Sequence, residues 1–493
     1  MSISYRSSVV FTAVLALLAC GKNQSPAAAS AFSLRVDSLV AEAMRDGKVP
    51  GLAVTIVRGD SVIHSKGYGF ANLEQKVPMT DTTPVVIGST SKTFTSFAMM
   101  QLVDSGRVSL DSTVGHYVAM LGAPGHANAQ LSKAADARFG KITVRHLLTN
   151  VTGIPAGFSG NPYEVQDTST GALERVVRDD MLPRPLDFAP GSAYRYSNRG
   201  FSLASLVVQD ASGQSYEDYI ASHIFAPIGM RHSTGRFWEG AAKGMVQGYR
   251  ESVEGKPLPR NPSLGREWTG SGMILSTASD AARFLQTIMA GGKAPNGTRV
   301  LSEASAAELL RGQQKAESEL GGPTTYALAW EITTDEGGKT ALKGGSVGSM
   351  GSLFFMMPEQ KVGIVLVFND IDYGKVQLLQ NVLKLLKGLP VAAYASFPAH
   401  KPVAANGYAM KPERLSAFAG DWDTMSGLMH VAVKGNALAG RHEGNDITLE
   451  PASDSSFVVR SVLAEQEGRA IVIKRCGTRM CMWINGDSSA VRR

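Results

Sequence analysis

Strand-like sequence stands at both ends of a long helical middle, and this bracketing limits the architecture more than any other feature of the chain. Near the start, Leu52, Val54 and Ile56 alternate with period two, Arg58-Gly59-Asp60 marks a turn, and a second strand runs from Ser61 to Lys66. Ahead of them Phe32, Val36, Leu39, Val40 and Ala43 recur at helical spacing up to Gly47. Far downstream, strands are expected at Tyr326 to Ile332, Leu353 to Met357 and Val362 to Phe368, followed by an amphipathic helix over Val376 to Leu386. The middle, from Ser89 to Thr287, reads as mostly helical with long loops. The first and last elements must therefore share one sheet, with a helical lobe inserted between them.

A length of 493 residues allows one large core and a small extra module. After Gly388 the texture changes: Pro390, Pro398, Pro402 and Pro412 mark a linker over 389–413. Beyond it, residues 414–493 open with Phe418-Ala419-Gly420-Asp421-Trp422 and continue as short alternating stretches, among them Met429 to Val433, Ile447 to Leu449, Phe457 to Val459 and Ala470 to Ile473. These predict a small antiparallel β domain.

At the other end, Arg6, the apolar run Val9 to Ala19 and Leu17-Leu18-Ala19-Cys20-Gly21 read as a signal peptide over 1–19. The run is too short to span a bilayer. The small residue before Cys20 resembles a bacterial lipobox, which implies cleavage before Cys20, lipid on its sulfur and a tether over 20–31. The expected location is the bacterial envelope, with the protein membrane-anchored and facing the periplasm or the cell surface. Cys476 and Cys481 remain as an even pair, spaced to close a hairpin with a disulfide in an oxidising compartment.

With 49 basic against 43 acidic residues the net charge is +6. No basic run interleaved with aromatics is present, so nucleic acid is not an expected partner. No cysteine and histidine spacing suggests a metal, and no cofactor is expected.

Gly88-Ser89-Thr90-Ser91-Lys92 puts a serine at the mouth of a helix and a lysine one turn later on the same face. Free amides and the positive helix end there favour developing negative charge. Tyr196-Ser197-Asn198 follows in a loop before the apolar helix Phe201 to Val208, and Lys343-Gly344-Gly345-Ser346 comes later. The stretch Gly344-Gly345-Ser346-Val347-Gly348 also fits a G-x-S-x-G nucleophile elbow, but strands rather than a helix are expected after it. Lys361-Val362-Gly363 sits at a predicted hairpin turn, and His442-Glu443-Gly444 lies in the C-terminal domain.

Serine, lysine, tyrosine, asparagine and a basic residue leading into a glycine strand, in this order, resemble the serine β-lactamase and penicillin-binding protein superfamily, closest to its class C and esterase-like branch. Ile142 to Asn150 before Gly153-Ile154-Pro155, and Gly272 to Asp280, extend the likeness over residues 32–388. The resemblance implies an α+β fold of the β-lactamase/transpeptidase type, an antiparallel sheet flanked by helices plus an all-helical subdomain, with the site in the cleft between. It also implies a barrel-like C-terminal module. Ser89 would be the nucleophile, Lys92 and Tyr196 its acid–base partners, and Asn198, Lys343, Gly345 and Ser346 the substrate-binding set. Lys92 and Tyr196 both ionise near pH 10 in water, so either can be the base in a tight site. The expected substrate is a small molecule or peptide with a reactive carbonyl: an ester, an amide, a β-lactam or a D-amino-acid peptide. A penicillin-recognising sensor that acylates without turnover, or an inactive envelope lipoprotein, remains the alternative.

Overall fold

The computed structural model describes residues 26–492 apart from 123–130, 156–166, 263–264, 318–322, 336, 371–374, 394–403, 405, 425–426, 443–444, 464–466, 477–478 and 485–486. Cys20 and the leader therefore lie outside the described residues. Helix α1 (Pro26–Gly47) begins six residues ahead of the expected Phe32. The first strands are β1 (Gly51–Arg58), β2 (Ser61–Asn72), β3 (Val77–Pro78) and β4 (Val85–Val86). Within the helical middle lie β5 (Tyr249–Glu251), β6 (Pro257–Pro259) and β7 (Leu275–Ser276). The late strands are β8 (Gln314–Glu317), β9 (Pro323–Tyr326), β10 (Glu331–Asp335), β11 (Gly338–Val347), β12 (Met350–Met357) and β13 (Val362–Phe368).

These ends meet as the bracketing requires. The nine-stranded sheet runs β3-β2-β1-β13-β12-β11-β10-β9-β8, and Leu52 pairs with Phe368 while Val54 pairs with Leu366. Both faces of its centre are covered, so β1, β12 and β13 are apolar almost throughout rather than alternating. On one face, α1 and the helix Lys375–Leu386 bury Val36, Val40, Leu379 and Val382 against Val54, Ile364 and Leu366. On the other, the helical lobe packs Phe94, Phe97 and Phe284 on Phe354 and Val365. Phe94 stacks on Phe284 with ring centroids 4.1 Å apart, and such pairs add about 1 kcal/mol beyond area burial.

One expected strand is two. Tyr326 to Ile332 is broken after Tyr326, because Ala327 to Trp330 turns the chain back so that β9 and β10 pair as a hairpin, Glu331 opposite Tyr326. Ala329 takes φ 69° there, with its amide donating to the Leu148 carbonyl at 3.1 Å. The tertiary hydrogen bond overrides a run whose composition favours a strand.

The C-terminal strands β14 (Gly420–Thr424), β15 (Gly427–Lys434), β16 (Ala437–His442), β17 (Asn445–Pro451), β18 (Ser456–Arg460), β19 (Ala470–Cys476), β20 (Arg479–Ile484) and β21 (Asp487–Arg492) close into an eight-stranded antiparallel barrel. Its interior is filled by Trp422, Leu438, Leu449, Phe457 and Ile473, with Met410 and Leu415 at one end. Cys481 is disulfide-bonded on β20. The side chain of Cys476, on the neighbouring β19, lies outside the described residues.

Candidate active site

Ser89 sits in a single 3-10 turn, Gly88–Thr90, that leads directly into helix α2 (Ser91–Asp104). The turn is pinned from beneath. The hydroxyls of Thr90 and Ser352 meet at 2.8 Å over the Ile87 carbonyl, which they approach to 2.8 and 2.7 Å. From the lobe side, the Ile87 amide donates to the Ile274 carbonyl at 3.0 Å, and the Ile274 amide donates to Ser91 Oγ at 3.1 Å. Ser89 is thereby fixed to both the sheet and the lobe.

Lys92, one turn into α2, is fully buried. Its Nζ lies 3.0 Å from Ser89 Oγ, 2.7 Å from Asn198 Oδ1 and 2.5 Å from the Ser271 carbonyl oxygen. The last two atoms are acceptors only. A neutral Lys92 amine therefore directs both N–H groups at them and leaves its lone pair for the Ser89 hydroxyl, whereas an ammonium donates to all three. Asn198 is the first residue of the helix Asn198–Ser212 rather than a loop residue. Its neighbour Arg199 anchors that helix by a fully buried ion pair with Asp180, Nε to Oδ2 at 2.6 Å.

Tyr196 lies in the loop ahead, half-buried, with its ring 4.7 Å from Lys92 Nζ and 5.2 Å from Lys343 Nζ. Two amino groups thus face the Tyr196 ring. The loop is held by Asn150, a residue sequence reasoning placed only within the stretch Ile142 to Asn150. Buried and at φ 57°, Asn150 accepts the Ser197 amide on its Oδ1 at 3.1 Å and the Arg195 amide on its carbonyl at 2.8 Å. Both amides flanking Tyr196 are therefore tied to one side chain and its own backbone. The available signal was an asparagine ahead of Gly153, a residue type that tolerates left-handed φ.

Lys343 lies on β11, only 2% exposed, with Nζ 5.9 Å from the Tyr326 ring. Burial pushes the Tyr326 phenol well above its usual range, so this ring faces Lys343 as a neutral group. Gly345 and Gly88 let two backbones touch. A Cβ on Gly345 would lie 2.6 Å from the Ser89 amide nitrogen, and one on Gly88 would lie 2.4 Å from the Ser346 amide nitrogen. Ser346 itself is exposed at the cleft edge. The elbow reading of Gly344–Gly348 fails here, because β12 follows instead of a helix. Lys361 occupies the β12–β13 turn at φ 54°. Among the described residues no group of three or more histidine, cysteine or acidic side chains is placed to hold a metal.

Known proteins resemble this chain in sequence and in fold. A family model described as Beta-lactamase matches residues 36–387. Protein flp of Staphylococcus aureus is 26% identical over 339 residues, 68% of this chain but only 62% of that relative's length. Penicillin-binding protein 4 of Amycolatopsis lactamdurans is 31% identical over 270 residues, 54% of this chain and 66% of that protein. Among solved structures, the octameric penicillin-binding protein homologue from Pyrococcus abyssi superposes with a TM-score of 0.61 at 23% identity, covering 93% of this chain and 99% of its own. A class C beta-lactamase gives 0.60 at 22% identity over 75% of this chain and 99% of its own. The hydrolase EstCE1 gives 0.61 at 20% identity over 73% of this chain and all of its own. At such identities the superpositions speak for the fold, while the family model covers most of the chain. With the fold in place and the sheet, lobe and cleft arranged as described, the chain belongs to the beta-lactamase family, within the serine-hydrolase superfamily of β-lactamases, penicillin-binding proteins and esterases.

Proposed function

We propose that this chain is an acyl-serine hydrolase that favours small neutral esters over β-lactams. The observation that carries the reading is the set of three contacts at Lys92, which leaves the neutral amine one lone pair aimed at Ser89 Oγ. Lys92 Nζ takes the Ser89 proton as Oγ bonds to the substrate carbonyl carbon, and the electron pair of the carbonyl moves onto its oxygen. The Ser89 and Ser346 amides receive that oxyanion, each such donor being worth about 3 kcal/mol. The intermediate collapses to the acyl-serine as the C–O bond to the alcohol breaks, and the alcohol leaves with a proton delivered through Tyr196. That delivery leaves Tyr196 as phenolate and Lys92 holding the Ser89 proton, so water gives a proton to Tyr196 as it adds to the acyl carbon, and the C–O bond to Ser89 then breaks as Lys92 returns its proton to Oγ and the acid leaves.

Two residues argue for esters. A threonine or serine hydroxyl at position 344 would hydrogen-bond a substrate carboxylate, and Gly344 lacks it, a loss of about 1.5–3 kcal/mol. Lys343, 2% exposed, has its Nζ 5.2 Å from the Tyr196 ring and 5.9 Å from the Tyr326 ring, contacts that compete with a substrate carboxylate for it. Purified protein should hydrolyse p-nitrophenyl esters readily and nitrocefin slowly, and a fluorophosphonate should label Ser89. Ser89→Ala should abolish both labelling and turnover, and Lys92→Ala and Tyr196→Phe should each lower kcat by about a hundredfold or more. Rapid cephalosporin turnover without esterase activity would overturn the substrate preference, and labelling that survives Ser89→Ala would overturn the mechanism. We further propose the envelope location: Cys20→Ser should move the protein from the membrane to the soluble fraction, and unchanged membrane association would sink the anchor.

A further inference from the structure

Trp422, Leu438, Phe457 and Ile473 cluster as the core of the barrel, and the residues that link it to the rest of the chain lie on its outside. There it grips the β5–β6 hairpin. The Val253 amide donates to the Val462 carbonyl at 3.1 Å, and Ser252 forms an antiparallel bridge with Leu463. Just past β6, Arg260 donates from Nη1 to Oδ1 of the buried Asn445, the first residue of β17.

The same hairpin also reaches the β11–β12 turn. Arg250, 6% exposed, donates from Nη1 to the Gly348 carbonyl at 2.6 Å. The Tyr249 amide donates to the Asn369 carbonyl at 2.8 Å, and the Arg260 amide to the Gly248 carbonyl at 2.7 Å. Pro262 backs the turn, its Cβ 3.4 Å from where a side chain on Gly348 would begin. Gly348, at φ 62°, is the tight point of the β11–β12 turn and lies two residues after Ser346. A continuous set of polar contacts therefore runs from Asn445 and Val462 of the barrel, through the hairpin, to the turn that carries the Ser346 amide.

We infer that the barrel is a positioning domain for the reaction: clamping the β5–β6 hairpin, it holds the β11–β12 turn through Arg250 and so fixes the Ser346 N–H over the Ser89 carbon–oxygen bond being formed. An oxyanion donor acts only within about 0.3 Å of its ideal distance, so a loosened turn lowers the rate without weakening the affinity for substrate. Arg250, Arg260 and Asn445 are positioning residues, since none touches the reacting atoms. The inference rests on the acyl-serine reading with Ser346 as an oxyanion donor.

The test uses full-length protein, with kcat and KM for a p-nitrophenyl ester and fluorophosphonate labelling of Ser89. Arg250→Met should lower kcat about tenfold and leave KM within about twofold, and Arg250→Lys, which keeps a donor for Gly348, should restore most of the rate. Arg260→Ala and Asn445→Ala should each lower kcat by about threefold, and the double variant should lose no more than either single, because one contact is removed once. Wild-type kcat in Arg250→Met overturns the inference. Should that variant fail to fold, wild-type kcat in both Arg260→Ala and Asn445→Ala overturns it, as does a multiplicative loss in the double variant. Failure of the unmodified protein to label at Ser89 would instead bring down the functional reading on which the inference stands.

Discussion

At the scale of single residues, chemistry resides in side chains and support resides in backbone. Ser89, Lys92, Tyr196 and Lys343 were legible because their reactive groups and spacing are written in residue types. The Ser271 carbonyl that fixes Lys92 was not, because every residue has one and only the fold aims it. Asn150 lies between these cases. Asn150→Gly keeps the left-handed backbone but removes the acceptor for the Ser197 amide, and should lower kcat by about tenfold with little change in KM. Asn150→Asp, which retains Oδ1, should recover part of that loss, and steady-state kinetics decide it. Glu267 offers a second check. Burial, aided by the nearby Asp167 charge, pushes its carboxyl up to about 7, and its Oε2 is buried without a hydrogen-bond partner. The folded protein thus holds this proton more tightly than the unfolded chain, whose carboxyl ionises near 4.5. Stability contributed by the protonated form is complete below the unfolded value and is lost as pH rises through 7, by at most on the order of 3 kcal/mol. Glu267→Gln should therefore raise Tm at pH 8 and change it little at pH 4.5 in thermal melts.

At the scale of elements, period and punctuation located most strands and helices, and the exceptions share a cause. Leu52, Val54 and Ile56 marked β1 although the residues between them are buried as well, and the apolar run Val362 to Phe368 coincides with β13 because a strand buried on both faces has one composition throughout. Tyr326 to Ile332 misled for the same reason: Ala327-Leu328-Ala329-Trp330 is as apolar as a buried strand, and the turn shows only in the structure, where the Ala327 amide donates to the Trp330 carbonyl and the Ala329 amide to that of Leu148. The short β4 and β7 pair, Val86 opposite Leu275, carries too few residues for any period to register. Close approach of elements yields its own test at the site. Because a methyl group on Gly345 would meet Ile87 O at 2.3 Å and the Ser89 nitrogen at 2.6 Å, Gly345→Ala must separate β11 from the Gly88–Thr90 turn. Fluorophosphonate labelling should fall by at least about tenfold while the far-ultraviolet spectrum keeps its shape, since the strain is local.

For the whole molecule, the sheet closed from its two ends was readable from the positions of the strand patterns, and the barrel from its short alternating runs. What joins them was not readable: the contacts of Arg250, Arg260 and Asn445 involve residues that, in sequence, look like ordinary polar surface. The placement of β1 between β2 and β13 also governs timing. Leu52 acquires its partner Phe368 only after the entire helical lobe and β11–β12 have been made. Pairing across so long a span is slow, because the chain entropy of closing the loop is lost before any contact repays it. The pins beneath Ser89, namely Ser352 and the Gly345 backbone, belong to those late strands. Ser89 and Lys92 are thus synthesised early and assembled last, so the nascent chain holds this pair without its pins until nearly four hundred residues have emerged, roughly twenty seconds or more into synthesis at ordinary elongation rates.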